Sequence, residues 1–264
     1  SSDPLALRWS EPDFSNWRML DLPHDWSIEL DRAPDSPSGA FGGYFPTGLG
    51  LYYKKFVAPE DWQGKKVLIE FEGVYMNAEV SLNGNLLGRH PYGYTTFAYD
   101  LTPYLKRDGS ENVLRVVVNN AAQRNSRWYS GSGIYRHVWL MVADPVHVAH
   151  WGVYVTTPEV TEEKAVVHVE TTVENESPAL CEATVRSRVV AADGTLVDEA
   201  EVHAAIDTGG QHVYAHDLKV IKPQRWSPAM PYLYQLETEV VVEGEIVDTV
   251  TTPFGIRTFS FDAE

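Results

Sequence analysis

Two aromatic, glycine-rich stretches stand apart from the rest of the chain. The first is Phe41-Gly42-Gly43-Tyr44-Phe45-Pro46-Thr47-Gly48-Leu49-Gly50. The second is Asn125-Ser126-Arg127-Trp128-Tyr129-Ser130-Gly131-Ser132-Gly133-Ile134-Tyr135-Arg136. Sugars bind by laying their C–H faces on aromatic rings while polar side chains take the hydroxyls. Arg127, Trp128 and Tyr129 offer that mix in three consecutive positions. The same residues also suit a cap on the end of a sandwich, with glycines that merely permit tight turns. Composition alone leaves both readings open.

Other chemistries find weaker support. Hydrolysis of a glycoside needs two carboxyl groups facing the sugar, about 5–5.5 Å apart when configuration is retained. With 37 acidic residues, pairs arise by chance, and Glu70 and Glu72 fall at outward strand positions. Asn175-Glu176 sits where a strand runs into Ser177-Pro178, which reads as a turn and not as a catalytic position. Asn175-Glu176-Ser177 is also a glycosylation sequon, followed by Pro178. His147 and His150 point to opposite sides of an extended strand, and His212 and His216 share a face without a third ligand nearby, so no metal site is expected. No nucleophile elbow, phosphate loop or calcium loop is present. Cys181 alternates with Ala183 and Val185 and reads as a buried apolar residue.

The elements that must position the two loops are strands. Val67, Ile69 and Phe71 share one face, and Ala78, Val80 and Leu82 repeat the pattern before the hairpin dipeptide Asn83-Gly84. Leu114, Val116 and Val118 form another inward row, with Arg115 on the opposite face. No amphipathic helix of three turns is found. The character changes near Asp144-Pro145. Upstream the chain is rich in Trp, Tyr and Gly, with long irregular stretches at 29–50 and 119–134. Downstream, alternating strands are predicted at about 165–174, 180–191, 195–206, 211–221, 232–242 and 245–252, with a turn at Asp193-Gly194. The reading is all-β: a jelly-roll sandwich over 1–145, then an immunoglobulin-like sandwich without its disulfide over 146–264.

The 264 residues carry 21 basic and 37 acidic side chains, a net charge of -16. Such a surface disfavours nucleic acid and anionic membrane as partners. One cysteine excludes an internal disulfide. No apolar run approaches the roughly 20 residues of a membrane span. The start, Ser-Ser-Asp-Pro, has neither an initiator Met nor a signal-peptide pattern, which suggests a piece of something longer.

Five segments in order carry a family resemblance. They are Leu22-Pro23-His24-Asp25-Trp26-Ser27-Ile28; Gly50-Leu51-Tyr52-Tyr53-Lys54-Lys55-Phe56; Phe71-Glu72-Gly73-Val74 with Val80-Ser81-Leu82-Asn83-Gly84; Ser126 to Leu140; and Pro253-Phe254-Gly255-Ile256-Arg257. Together they resemble glycoside hydrolase family 2, and within it the bacterial β-galactosidases. The resemblance implies a sugar-binding jelly roll, an immunoglobulin-like domain, and a following (β/α)₈ barrel that holds both catalytic glutamates. The barrel would begin near Glu264, and no alternation of strands and helices suggests one within this chain.

By motif position the resemblance implies Arg127, Trp128, Tyr129, Tyr44, Phe45 and Thr47 as substrate contacts, with Asp25 and Asn119 as further polar candidates. Some members carry an acidic residue where Arg127 stands, so a metal-dependent mode is not carried over. No catalytic residue, metal or cofactor is expected in the chain itself. The expected partners are a galactoside and the parent's own barrel, with a homo-oligomer of the whole enzyme compatible. Two alternatives are an independent carbohydrate-binding module and a purely structural pair of sandwiches. β-Glucuronidases, β-mannosidases and galacturonidases share the architecture. Bacterial cytoplasm, periplasm and cell surface are all compatible.

Overall fold

The structure, a computed structural model, describes residues 13–123 and 125–261. The opening Ser-Ser-Asp-Pro and the closing Glu264 lie outside the described residues. Fourteen strands and five three-residue 3₁₀ turns make up the regular structure of the described residues, and none of its helices is long and apolar enough to cross a membrane. The contacts divide the chain into two units, one ending at Val142 and the next beginning at Ala143.

In the first unit β1 (Leu49–Val57), β6 (Glu111–Asn119), β3 (Ala78–Leu82) and β4 (Asn85–His90) form one sheet, in that order. The second sheet is β5 (Phe97–Asp100), β2 (Lys66–Phe71) and β7 (Val138–Ala143). The alternation read from the sequence explains the packing. Val67, Ile69 and Phe71 of β2 meet Val80, Leu82, Leu114, Val116 and Val118 of the opposite sheet in one apolar cluster. The other face of β6 is covered as well. Arg115 is buried, and its neighbour across the sheet, Tyr53, carries the edges of Phe14 and Trp17. Glu72 is more than a solvated strand residue: it accepts Trp139 Nε1 at 2.9 Å and lies 3.1 Å from His137 Nδ1.

Register sends the aromatic connections to one end. β1 starts where β6 ends (Leu49 opposite Asn119), β3 starts where β4 ends (Ala78 opposite His90), and β2 ends where β5 starts (Phe71 opposite Phe97). The approach to β1 and the loops 72–77, 91–96 and 120–137 therefore leave the same end of the sandwich. The opposite end carries the tight Asn83-Gly84 hairpin and the connections 58–65 and 101–110, each with a 3₁₀ turn.

The second unit has seven strands in two sheets. One sheet orders β11 (Leu196–Ile206), β10 (Cys181–Val190), β13 (Tyr234–Val242) and β14 (Glu245–Phe254); the other orders β12 (Gln211–Ile221), β9 (Lys164–Asn175) and β8 (Val146–Val160). Four plus three antiparallel strands is the immunoglobulin-like arrangement. Every predicted downstream strand is present within two residues at each end, and Cys181 is buried. β8 is the strand missing from the prediction. Its pairing to β9 shifts at Val148/Val153, where Trp151 has φ of 56°, and again at Thr156/Glu159. Two irregularities in one strand erase the period-two signal.

Candidate functional site

The loop end of the first unit is built around a buried polar chain. Tyr75 Oη donates to Asn125 Oδ1 at 3.2 Å, and Asn125 Nδ2 donates to Asn120 Oδ1 at 2.7 Å. Asn120 Nδ2 donates to Ser132 Oγ at 2.8 Å, and Ser132 Oγ lies 2.6 Å from Ser27 Oγ, itself 2.8 Å from the Pro46 carbonyl. Ser27 has one hydroxyl proton, and the carbonyl can only accept. That proton goes to Pro46, and Ser132 donates to Ser27. Asn120, Ser27 and Ser132 are all buried, so each bond made here spares an unpaired polar group in a dry site.

Asp25 ties the same segments through the main chain. Its Oδ1 accepts the N–H of Ser27 at 2.9 Å and of Ser132 at 2.8 Å. Its Oδ2 lies against Gly131, where an added Cβ would approach to 2.3 Å. Main-chain bonds His24 N–H to the Ile134 carbonyl (2.7 Å) and Trp26 N–H to the Ser132 carbonyl (3.0 Å) run alongside. Gly133, at φ of 129°, has room for no side chain between Tyr52 Oη and the His24 carbonyl. Burial pushes the Tyr52 phenol up to about 12, so it stays protonated as a hydrogen-bonding group.

On this base the aromatic residues stand exposed. Trp128 and Tyr129 are 59% and 71% accessible, and their rings meet different loops. Trp128 Nε1 donates to Tyr94 Oη at 2.8 Å. The Tyr129 ring lies over Gly43, which has φ of 64° and would place an added Cβ 2.8 Å from the ring. Arg127 is exposed and makes no ion pair or hydrogen bond among the described residues. Tyr44 is exposed with a left-handed φ of 58°. Phe45 lies 5.5 Å below the Arg32 guanidinium, and its carbonyl accepts the hydroxyls of Ser36 and Ser38. Thr47, half-buried, follows the Pro46 carbonyl that Ser27 holds.

The structure thus brings Tyr129 to the first loop through Gly43, and Trp128 to the loop between β4 and β5. Asp25 is taken up in holding the loops together. Asn119 ends β6 and caps Ala121 N–H, while its neighbour Asn120 joins the buried chain. Tyr75, Tyr92, Tyr94 and Asn120 are the participants that sequence reading missed. The aromatic-glycine turn Pro91-Tyr92-Gly93-Tyr94 was the available signal.

A cleft of the first unit lies apart from the exposed rings. It encloses about 700 Å³ between the edge strands β1 and β7, against Leu51, Ile69, Phe71, Val116 and Ile134, and of the two aromatic loops only the buried Ile134 reaches it. Its floor extends the apolar core, and Arg18, Asp21 and Lys54 are among the residues that line it. In the second unit, Tyr214 separates His212 from His216 on the inner face of β12, and among the described residues no group of three His, Cys, Asp or Glu side chains is placed to hold a metal ion. Asn175 is fully buried.

The comparisons agree with this layout. Residues 7–145 match the model 'Glycosyl hydrolases family 2, sugar binding domain', and residues 146–257 match the model 'Glycosyl hydrolases family 2'. The chain belongs to glycosyl hydrolase family 2. Among family 2 relatives, the β-galactosidase BoGH2A of Bacteroides ovatus is 50% identical over 98% of this chain, which spans 30% of that enzyme. A β-glucuronidase of Formosa agariphila is 31% identical over the whole chain, which spans 29% of it. A solved family 2 structure from Bacteroides cellulosilyticus superposes with a TM-score of 0.91 at 36% identity, over 95% of this chain and 33% of that one. The chain therefore corresponds to the N-terminal part of family 2 glycosidases, about a third of their length or less.

Proposed function

We propose that this chain is the non-catalytic N-terminal portion of a retaining β-galactosidase, supplying loops that complete the sugar pocket and supporting a (β/α)₈ catalytic domain. The observation that carries the reading is the 50% identity to a β-galactosidase over 98% of the chain. In such an enzyme one barrel glutamate attacks the anomeric carbon while another protonates the leaving oxygen and then activates water. The contribution of Arg127, Trp128, Tyr129, Tyr44, Phe45 and Thr47 is position. A substrate misplaced by about 1 Å can lose on the order of 100-fold in rate. Asp25 serves that end indirectly, through the two main-chain bonds that fix the loop carrying the aromatics.

A second reading, the same portion of a β-glucuronidase, is favoured by Arg127. A guanidinium exposed in the candidate site, without an ion pair among the described residues, suits the carboxylate of a uronic acid. A relative named β-glucuronidase matches the whole chain.

The test is hydrolysis by the full-length gene product that contains these residues, assayed on p-nitrophenyl β-galactoside and β-glucuronide. The 264-residue chain alone is expected to show no turnover. The whole enzyme is expected to favour the galactoside by at least about 100-fold in kcat/KM. A preference for the glucuronide that Arg127→Ala removes would establish the second reading instead. Turnover by the chain alone would overturn the non-catalytic role.

A further inference from the structure

Trp128 and Tyr129 open onto two separate aromatic neighbourhoods. Beside Tyr129 stands the loop of Gly43 and Tyr44. Beside Trp128 stands the β4–β5 loop, where Tyr92 and Tyr94 are 56% and 39% accessible. That loop is held from below. The Tyr94 ring leans on Tyr75 at 5.2 Å between centroids, Tyr92 stands edge-on to Tyr94 at 5.6 Å, and Tyr135 Oη donates to the Gly93 carbonyl at 2.7 Å. Gly93 sits directly on the Tyr75 ring, where a Cβ would approach to 2.2 Å. A cap would bury its rings; here a buried Tyr75 fixes rings whose outer faces remain open.

The character of the patch narrows what it binds. Its apolar atoms are aromatic, phenol hydroxyls and Asn125 lie among them, and Arg127 precedes Trp128 in the chain. Flat rings with interleaved hydrogen-bonding groups match the C–H faces and hydroxyls of a pyranose. Two such neighbourhoods, one on each side of consecutive residues, fit two sugar units. We propose that Tyr92, Tyr94 and Trp128 form a second sugar subsite, so that the site prefers a β-linked galacto-oligosaccharide to a single galactose. The proposal rests on the sugar-binding reading above. Tyr94 acts as a positioning residue: its hydroxyl anchors the indole N–H and sets the plane of Trp128.

The experiment is saturation-transfer NMR on the complete 264-residue chain, with methyl β-galactoside and β-1,4-galactotriose as probes. The triose is expected to bind at least about fivefold more tightly, the scale of one added aromatic contact. Tyr92→Ala, at an exposed position, is expected to weaken the triose about threefold to tenfold and to leave the methyl galactoside and the thermal midpoint unchanged. Tyr94→Phe keeps the ring and removes the anchor; it is expected to weaken the triose and shift the Trp128 emission, whereas a purely structural Tyr94 would move neither. Equal binding of the two probes, or equal weakening of both by Tyr92→Ala, overturns the second subsite and leaves the sugar reading standing. Silence of both probes overturns the subsite, and the hydrolysis assay above then decides the broader reading separately.

Discussion

The Asp25 carboxylate accepts the main-chain N–H of Ser132 at 2.8 Å, joining residues 107 positions apart. The same oxygen holds Ser27 N–H, so one charge-assisted acceptor organises the approach to β1 and the long loop after β6. Asp25→Ala is expected to leave both N–H groups without their partner and to cost about 1–3 kcal/mol. Urea unfolding measures the loss, and hydrogen exchange should accelerate first at Ser27 and Ser132. Unchanged protection at Ser132 would show that the loop is held some other way.

Gly43 carries a second prediction. Its φ of 64° favours glycine, and its missing Cβ leaves room for the Tyr129 ring. Gly43→Ala is expected to cost about 1 kcal/mol from the backbone and to push Tyr129 aside. The thermal midpoint should fall by a few degrees, and ring-current shifts near Tyr129 should change while those near Tyr94 do not.

Two histidines on neighbouring strands of the second unit predict a stability maximum near neutrality. The hydrogen bond to Asp217 holds His168 above its ordinary value, with Glu170 assisting. A raised folded pKa gives stability that is fully present below the unfolded value of about 6.5 and is lost as pH rises through the folded value. Burial holds His216 below its ordinary value. The unfolded chain then takes up that proton first, so stability falls as pH drops from about 6.5 towards the lowered value. Urea midpoints between pH 5 and 8.5 should peak near pH 6.5. His168→Gln should flatten the alkaline limb, and His216→Gln the acid limb.

Asn175 closes its own sequon. The side chain is inaccessible, Nδ2 donates to the carbonyls of Ala179, Ile206 and Asp207, and Oδ1 accepts Ser177 N–H. Expression in a glycosylating host should leave Asn175 unmodified by mass spectrometry. Asn175→Ala should cost about 2 kcal/mol or more, because three carbonyls lose a donor in a buried turn.

These relationships mark the limits of sequence reading. Strands β9 to β14 were legible because each buries one face, and Val167, Val169 and Val173 spell that face out in period two. The two loops were legible as unusual because aromatic-glycine runs are rare in a strand-rich chain. Their internal logic was not. Ser27, Asn120 and Ser132 look like ordinary polar loop residues until folding brings them together over separations of 12 and 105 positions. Tyr94 sits in an aromatic-glycine turn that the sequence displays, but its partner is not displayed: the bond to Trp128 spans 34 residues, and no local pattern encodes it.

Because the aromatic loops leave one end of the first unit's strands, the turns at the other end stand apart from them. A fluorophore or surface linker at the Asp108-Gly109 turn, or at Asn83-Gly84, would sit a full strand length from the aromatic loops. Asn83 also braces Asn112 and Val113, which makes Asp108-Gly109 the safer point of attachment. A tether there would leave the ring-lined end of the first unit unmodified for tests with oligosaccharides.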